Sequence, residues 1–207
     1  MSWLNYTDEK FIEVIANSDR KELGTELHAF ACSRIKLAMK YRGKTNIRKD
    51  VVSYLYSKYI DDFDGRVNRS DYEKKKGWHL IEKLDLLPEP VWDCLVAHIN
   101  DAIAYRMEPE VILYYSDAFY GTTDAISFDK NVLRIHDLKT GDVAAHMQQL
   151  EGYAALFCLE YKIKPGEIKT ELRIYQGLDV LIEEASADII APIMDKIVHL
   201  NKIRNKE

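Results

Sequence analysis

The chain has 207 residues, of which 47% are hydrophobic and 30% are charged, and its formal net charge is −5. This composition is ordinary for a soluble globular protein, and the length fits one domain with a substantial core. The net acidity argues against a protein that coats nucleic acid, because such proteins are usually basic. Any nucleic-acid groove would therefore have to be a local basic patch.

The three cysteines, Cys32, Cys94 and Cys158, are widely spaced and form no Cys-x-x-Cys pair. We expect them to be reduced core residues of a cytoplasmic protein rather than a disulfide set. No signal peptide or apolar run of ~20 residues is visible, so we expect no membrane insertion. The phosphate-binding loop of ATP-driven motors is also missing from the sequence.

Two helices are predicted in the first part of the chain. Apolar residues at helical spacing predict one helix over Ser2–Asn17 and a second over Leu23–Tyr41, with a break at Ser18-Asp19. His28 lies on the second helix, where a lone histidine is more often a packed core residue than a ligand. Glu26 lies on a different face of that helix and is a poorer ligand candidate.

A helical insertion is predicted over residues 45–107. Val51–Ile60 has apolar residues at helical spacing, and Trp78–Leu87 and Pro90–Met107 are predicted as two further helices. Between them, Arg66–Gly77 is predicted as an exposed loop. It is either a solvated connection or a flap that contacts a nucleic-acid backbone.

A β-hairpin is predicted after this insertion. Val111–Phe119 begins the sheet, and the turn signal Phe128-Asp129-Lys130-Asn131 lies between β-branched and aromatic residues. Val132–Lys139 is the second strand of the hairpin. Because side chains alternate along a strand, Asp137 and Lys139 share one face of it.

The second hairpin strand carries a carboxylate, Asp137, whose burial would cost free energy. Its flanking aliphatic residues predict burial on both faces, and a buried carboxylate such as Asp137 is retained more readily when a metal or partner neutralises it. His136 falls on the opposite face and is predicted to be structural. An exposed, salt-bridged strand face is the alternative interpretation.

The hydrophobic period becomes helical after Thr140-Gly141-Asp142. This pattern predicts a helix on which Gln149 and Tyr153, four residues apart, are neighbours on one face. Ile168–Tyr175 alternates as a strand does, and Ala185–Ile203 is predicted as a closing helix despite Pro192, which should kink it or mark a new start.

Four short patterns occur in order: Gly24-Thr25-x-x-His28, Gly121-x-x-Asp124, Asp137-x-Lys139 and Gln149-x-x-x-Tyr153. Together they resemble the PD-(D/E)XK nuclease superfamily, in the RecB-like and Cas4-like branch that includes phage-type exonucleases. Each pattern alone is weak, but four in this order and spacing are a strong signal. The resemblance covers Gly24 to about Tyr41 and roughly Glu108–Tyr175.

The resemblance implies an α/β fold with a restriction-endonuclease-like core, which is a mixed central β-sheet flanked by helices. The helical insertion at about 45–107 would belong to the same single domain, residues 1–207. Cas4-like relatives use four cysteines to hold an iron–sulfur cluster. Three cysteines are too few, so no iron–sulfur cluster is expected.

The resemblance also implies a divalent-metal site with Mg²⁺ or Mn²⁺, hard cations that prefer oxygen ligands. The expected metal ligands are the side chains of His28, Asp124 and Asp137 and the carbonyl of Leu138. Glu110, an acidic residue close to the start of the sheet, is a further candidate. The expected catalytic residues are Asp124, Asp137, Lys139, Gln149 and Tyr153. In this set Lys139 would position the attacking water and offset developing charge.

The expected function is metal-dependent hydrolysis of DNA, favouring an exonuclease in recombination, repair or phage DNA processing. DNA is the expected partner. A phage or host recombination protein is a further candidate partner. A homo-oligomer is a candidate assembly, since phage exonucleases of similar architecture form rings. A non-catalytic DNA-binding or regulatory protein on a nuclease-like fold is one alternative. A structure-specific endonuclease, or an enzyme that acts on RNA, is another.

Overall fold

Six α-helices and one mixed sheet form the described part of the chain, residues 7–61, 68–141 and 145–204 of a computed structural model. Four helices precede or lead into the sheet, and two follow its third strand. In chain order the helices are α1 (Asp8–Lys36), α2 (Lys44–Tyr59), α3 (Asp71–Leu84), α4 (Glu89–Ala104), α5 (Gln148–Tyr161) and α6 (Ala187–Arg204).

The sheet has five strands in the order β1-β2-β3-β4-β5. The strands are β1 (Glu108–Ser116), β2 (Phe119–Asp129), β3 (Val132–Lys139), β4 (Lys169–Gln176) and β5 (Asp179–Ala185). Strands β3 and β4 are parallel and are connected through α5, whereas the other neighbouring pairs are antiparallel. The predicted α/β class with a mixed sheet between helices is therefore confirmed.

Apolar side chains fill two separate cores, one on each face of the sheet. The first core joins α1–α4 to sheet residues such as Leu138 and Tyr175. The second joins α5 and α6 to sheet residues such as Leu133 and Ile135. Strand β3 contributes to both cores because alternate side chains leave opposite faces of a strand.

The predicted break at Ser18-Asp19 is wrong, because α1 continues through both residues. Asp19 is held by α3, with His79 Nε2 and Lys83 Nζ each 3.1 Å from its carboxylate. Such tertiary pairing can outweigh the weak helix propensity of Ser and Asp. The helix also ends before Tyr41, since Ala38 adopts the left-handed region at φ 52°.

The predicted loop over Arg66–Gly77 is wrong from residue 71 onward, where α3 begins; residues 66 and 67 lie outside the described part. Ser70 and Glu73 form a reciprocal capping box that fixes this helix start. Gly77 packs so closely on α2 that a Cβ there would overlap the Tyr59 side chain. The described residues of the 45–107 segment thus include α2, α3 and α4.

The predicted hairpin turn is confirmed between β2 and β3. Lys130 and Asn131 both have positive φ, 50° and 61°, as a two-residue hairpin turn requires. The strand predicted over Ile168–Tyr175 corresponds to β4, which lies beside β3. Strand β5 was not anticipated from the sequence.

Two helices near the C-terminus differ from the prediction in detail. Helix α5 begins at Gln148, later than the periodicity suggested, and residues 142–144 lie outside the described part. Pro192 lies inside α6 without ending the helix.

None of the described helices combines the length and the apolar composition that a membrane span requires. All three cysteines are free and buried, as predicted.

Candidate active site

The candidate site lies where β2 separates from β3. The first pair of the ladder between these strands, next to the turn, joins Asp129 to Val132. Its last described pair joins Ala125 to His136. The next pair in the same register would join Asp124 and Asp137. Instead, Asp124 Oδ2 accepts the backbone N–H of Leu138 at 2.7 Å. A carboxylate thus takes the place of a backbone acceptor at the point where the strands part.

Helix α1 brings His28 to this point. Its Nδ1 lies 3.1 Å from Asp124 Oδ1, and the two side chains are 31% and 23% exposed. One turn earlier, Gly24 allows α1 to approach the segment after β3, since a Cβ at Gly24 would be 2.8 Å from Thr140 Oγ1. The glycine of the Gly24-Thr25-x-x-His28 pattern therefore has a steric role that helps to position His28.

Glu110 lies in β1 opposite Asp124, between the pairs Pro109–Ala125 and Val111–Thr123. It adopts φ 55°, and its Oε2 accepts a hydrogen bond from the Cys32 thiol at 3.3 Å. Cys32 is one helical turn beyond His28 on α1. Glu110 is thus next to the site, but its carboxylate contacts Cys32.

Lys139 connects the strand to α5. Its Nζ lies 3.1 Å from Oδ1 and 2.9 Å from Oδ2 of Asp137, and it donates to Gln149 Oε1 at 3.1 Å. Gln149 Nε2 in turn donates to the Tyr153 hydroxyl at 2.7 Å. The Tyr153 ring covers Gly121 so closely that a Cβ there would overlap it. One chain of contacts therefore runs from the strand carboxylate to the helix.

The charges in this cluster are strongly coupled. Burial, followed by the nearby negative charge of Asp124, raises the pKa of Asp137 to about 6 despite the opposing effect of Lys139. Burial would raise the pKa of Asp124 too, but the hydrogen bond and charge of His28 hold that pKa below its ordinary value. Burial would lower the pKa of His28, but Asp124 outweighs it and the pKa is raised.

The side chains around Asp137 include donor atoms of the kind that bind a divalent cation. Asp137 Oδ2 is a buried acceptor without a hydrogen-bond partner among the described residues, because its contact with Lys139 is close but poorly directed. One buried carboxylate, one partly buried carboxylate and an imidazole are also the kinds of donor that divalent ions accept. As the side chains stand, however, no group of three His, Cys, Asp or Glu residues within the described ranges is arranged to hold a metal ion.

Existing contacts divide the three donors into separate pairs. His28 and Asp124 bond to each other, while Asp137 pairs with Lys139, so the three donors do not yet face one point. The residue types are ones that hard divalent ions accept, but their present contacts hold them as two separate pairs.

Several other candidates have structural roles. Glu26 is buried and bonded to Lys58 Nζ at 2.7 and 2.9 Å and to the Tyr59 hydroxyl at 2.7 Å, so its carboxylate is engaged with α2. His136 is fully buried and lies 3.2 Å from the Tyr175 hydroxyl, in agreement with its predicted structural role.

The sequence patterns missed the cleft that leads to His28. This cleft is lined by Thr25 of the same pattern and by Arg20, Lys21 and Thr140, none of which belongs to a recognised motif. Both cations lie about two turns before His28 on α1. A helical repeat of acidic and basic residues is too common to single them out.

Comparisons with protein-family models, with curated proteins and with solved structures gave no match.

Proposed function

We propose that the chain is a divalent-metal-dependent DNA nuclease with a restriction-endonuclease-like core and an active site of the PD-(D/E)XK type. The observation that carries this proposal is the meeting of His28 with Asp124 beside Asp137 and Lys139. These side chains come from α1, β2 and β3, and two of them are carboxylates in partly or fully buried positions. A cluster of this kind is costly for folding and therefore favours a functional role.

The proposed metal ligands are the side chains of His28, Asp124 and Asp137 with the carbonyl of Leu138. Bound Mg²⁺ or Mn²⁺ supplies a water of lowered pKa and offsets the charge on a phosphate. Loading requires His28 in its neutral form, so metal binding releases a proton at pH values where the imidazole is charged.

Lys139 is the proposed positioning group for the attacking water. Its ammonium contacts both Asp137 and Gln149, so it lies beside the proposed ligands. A fixed positive charge there stabilises the negative charge that grows on the phosphate during attack. Gln149 accepts from the ammonium on the side of α5 and donates to Tyr153, and the two residues would give the substrate phosphate two polar neighbours.

A non-catalytic DNA-binding protein is the second candidate. It is favoured by the direct pairing of His28 with Asp124 and by the absence of a ready three-donor group in the described part of the chain. Against it, every side chain needed for hydrolysis is present and in mutual reach. The free, buried cysteines are compatible with action in the reducing cytoplasm.

The test is digestion of end-labelled linear DNA in the presence of Mg²⁺, Mn²⁺ or EDTA. Wild type should digest the DNA only with a divalent ion, and Asp137→Ala and Lys139→Ala should not. Activity that survives both substitutions, or no activity with either ion, would contradict the proposal. Covalently closed circular DNA, assayed in parallel, distinguishes an exonuclease, which requires an end, from an endonuclease.

A further inference from the structure

Strand β5 is one of the two edges of the sheet, and it lacks the devices that close the other edge. An edge strand presents unpaired backbone N–H and C=O groups, which proteins block with proline, bulges or side chains. At the other edge, β1 contains Pro109 and an irregular register between Tyr114 and Ser116, and Glu160 of α5 accepts the backbone N–H of Tyr114. Strand β5 has an unbroken register with β4, and among the described residues only β4 bonds to its backbone.

Three consecutive apolar residues of β5 are exposed. Val180, Leu181 and Ile182 have 38%, 45% and 60% of their surfaces exposed. Leu181 lies opposite Ile174, which belongs to the core under α5 and α6, whereas Val180 lies opposite Tyr175 of the other core. Cross-strand partners share a face of the sheet, so β5 exposes apolar side chains on both faces. A further strand at this edge would cover both sets while it pairs with the open backbone.

The charged side chains of β5 are all acidic, namely Asp179, Glu183 and Glu184. Lys169 Nζ lies 2.8 Å from Glu184. Glu183 lies instead beside Glu151 of α5, and burial, followed by the charge of Glu183 and a hydrogen bond with it, raises the pKa of Glu151. No cation of the described ranges is paired with either of these two carboxylates. The exposed apolar segment is therefore flanked by acidic groups that a cationic side chain would stabilise.

A second copy of β5 is a poor occupant of this edge. In an antiparallel pair of two copies centred on Ile182, Leu181 would lie opposite the Glu183 of the second copy. In a pair centred on Leu181, Asp179 would lie opposite that same glutamate. Like charges directly opposite each other are destabilising, and an apolar side chain gains little from a carboxylate. The acidic ends of β5 favour a partner strand with cationic ends.

We infer that β5 binds an extended segment of a partner protein in which lysine or arginine residues flank three consecutive apolar residues. The segment adds a sixth strand to the sheet, so backbone hydrogen bonds hold it and its side chains give specificity. Its apolar residues lie opposite Val180, Leu181 and Ile182, and its cations lie opposite Asp179 and Glu183. This interaction surface goes beyond the proposed nuclease function and does not depend on it.

The experiment measures binding of a labelled peptide to the full chain by fluorescence anisotropy. The probe is Lys-Lys-Val-Val-Val-Lys-Lys with blocked termini, whose symmetric sequence matches residues 178–184 in either strand direction. It should bind at least about tenfold more tightly than the same peptide with proline in place of the middle valine. Proline keeps the charge but removes a backbone donor and is excluded from a strand that pairs on that side.

A charge reversal tests where the peptide binds. Glu183→Lys should weaken binding of the lysine peptide by at least about tenfold, and it should bind Glu-Glu-Val-Val-Val-Glu-Glu more tightly than wild type does. The new lysine would lie beside Glu151, so the change removes a contact between like charges and is compatible with folding. Glu82→Lys is the matched control, because it changes the net charge equally at an exposed position of α3. It should keep the wild-type affinity.

The contrary outcomes are distinct. Equal binding of the proline peptide, an equal loss in the variants at positions 183 and 82, or no binding at about 1 mM protein would overturn the inference. Sedimentation velocity tests the second copy as occupant, and wild type and Ile182→Lys should have the same state of association. A wild-type oligomer that Ile182→Lys dissociates would assign the edge to a second copy and overturn the basic partner. None of these results bears on DNA digestion, so the nuclease function stands or fails separately.

Discussion

His28 Nδ1 and Asp124 Oδ1 are 3.1 Å apart, although 96 residues separate them in the chain. The contact connects the middle of α1 to the point where β2 parts from β3. On the other side of the same carboxylate, Oδ2 accepts the N–H of Leu138, the residue between Asp137 and Lys139. A single aspartate thus joins the helix to the strand that carries the proposed catalytic lysine.

Replacing His28 with alanine should weaken Mn²⁺ binding by about tenfold to a hundredfold, because one of the proposed ligands is lost. Isothermal titration of Mn²⁺ into the apo protein measures this. Glu26→Gln is the matched control, since Glu26 is two residues away but bonds to Lys58 and Tyr59. It should lower stability and keep wild-type Mn²⁺ affinity. An unchanged affinity in His28→Ala would remove this residue from the site.

Asp137 should destabilise the metal-free protein at neutral pH. Its pKa is raised to about 6 in the folded state from an ordinary value of 3.8, so the folded state binds the proton more tightly than the unfolded one. Stability contributed by the protonated form is complete below about pH 4 and is lost as the pH rises to about 6. The loss amounts to at most about 3 kcal/mol.

Asp137→Asn in EDTA at pH 8 should therefore gain roughly 1–3 kcal/mol in the free energy of unfolding, measured with urea. The gain should disappear near pH 4. Asp129→Asn, an exposed aspartate at the end of β2, should change stability by less than about 0.5 kcal/mol. The contrary result would be an Asp137→Asn variant whose stability relative to wild type is lower at pH 8 than at pH 4. It would show that burial does not destabilise the Asp137 carboxylate.

Much of the sheet could be predicted from local sequence. The hairpin turn is encoded by Lys130 and Asn131. The apolar run of β3 matches its burial on both faces, and β4 shows the alternation that its sequence predicts. Strand β5 escaped prediction because its apolar residues, such as Leu181 and Ile182, are exposed and show no clear alternation. The continuity of α1 escaped prediction because Asp19 depends on partners in α3.

Less of the candidate site than of the sheet could be predicted from sequence periodicity alone. Alternation places Asp137 and Lys139 on one face, and helical spacing places Gln149 beside Tyr153. The approach of His28 to Asp124 depends on the packing of α1, which no local pattern encodes; only the family resemblance suggested it. The parting of β2 from β3 at Asp124 is a tertiary feature that the sequence did not indicate.

Gly121→Ala should lower the free energy of unfolding by about 1–3 kcal/mol, because the new methyl group would overlap the Tyr153 ring. Thermal or urea unfolding measures the loss. In the double variant with Tyr153→Ala, the steric part of this cost should disappear. Gly152→Ala is the control, since a Cβ there meets no atom within 4 Å and alanine favours the helix. Equal losses at positions 121 and 152 would contradict the proposed packing.

Lys139→Ala should lower the rate of DNA cleavage by at least about a hundredfold while Mn²⁺ binding stays at least as tight as in wild type. The reason is that the ammonium competes with a cation for Asp137 but stabilises charge on the substrate. Single-turnover cleavage and Mn²⁺ titration measure the two effects. Lys164→Ala, an exposed lysine with 82% side-chain exposure, should change neither. Loss of Mn²⁺ binding in Lys139→Ala would instead indicate a structural role.

The most direct measurement is a crystal structure of the wild-type protein grown with Mn²⁺, with anomalous diffraction used to locate the ion. We predict an anomalous peak roughly 2.0–2.5 Å from carboxylate oxygens of both Asp124 and Asp137 and within ligand distance of His28. In that structure the Nδ1–Oδ1 hydrogen bond between His28 and Asp124 should be replaced by bonds to the ion. A peak elsewhere, or no peak beside these residues at saturating Mn²⁺, would contradict the assignment of this cluster as a metal-dependent active site.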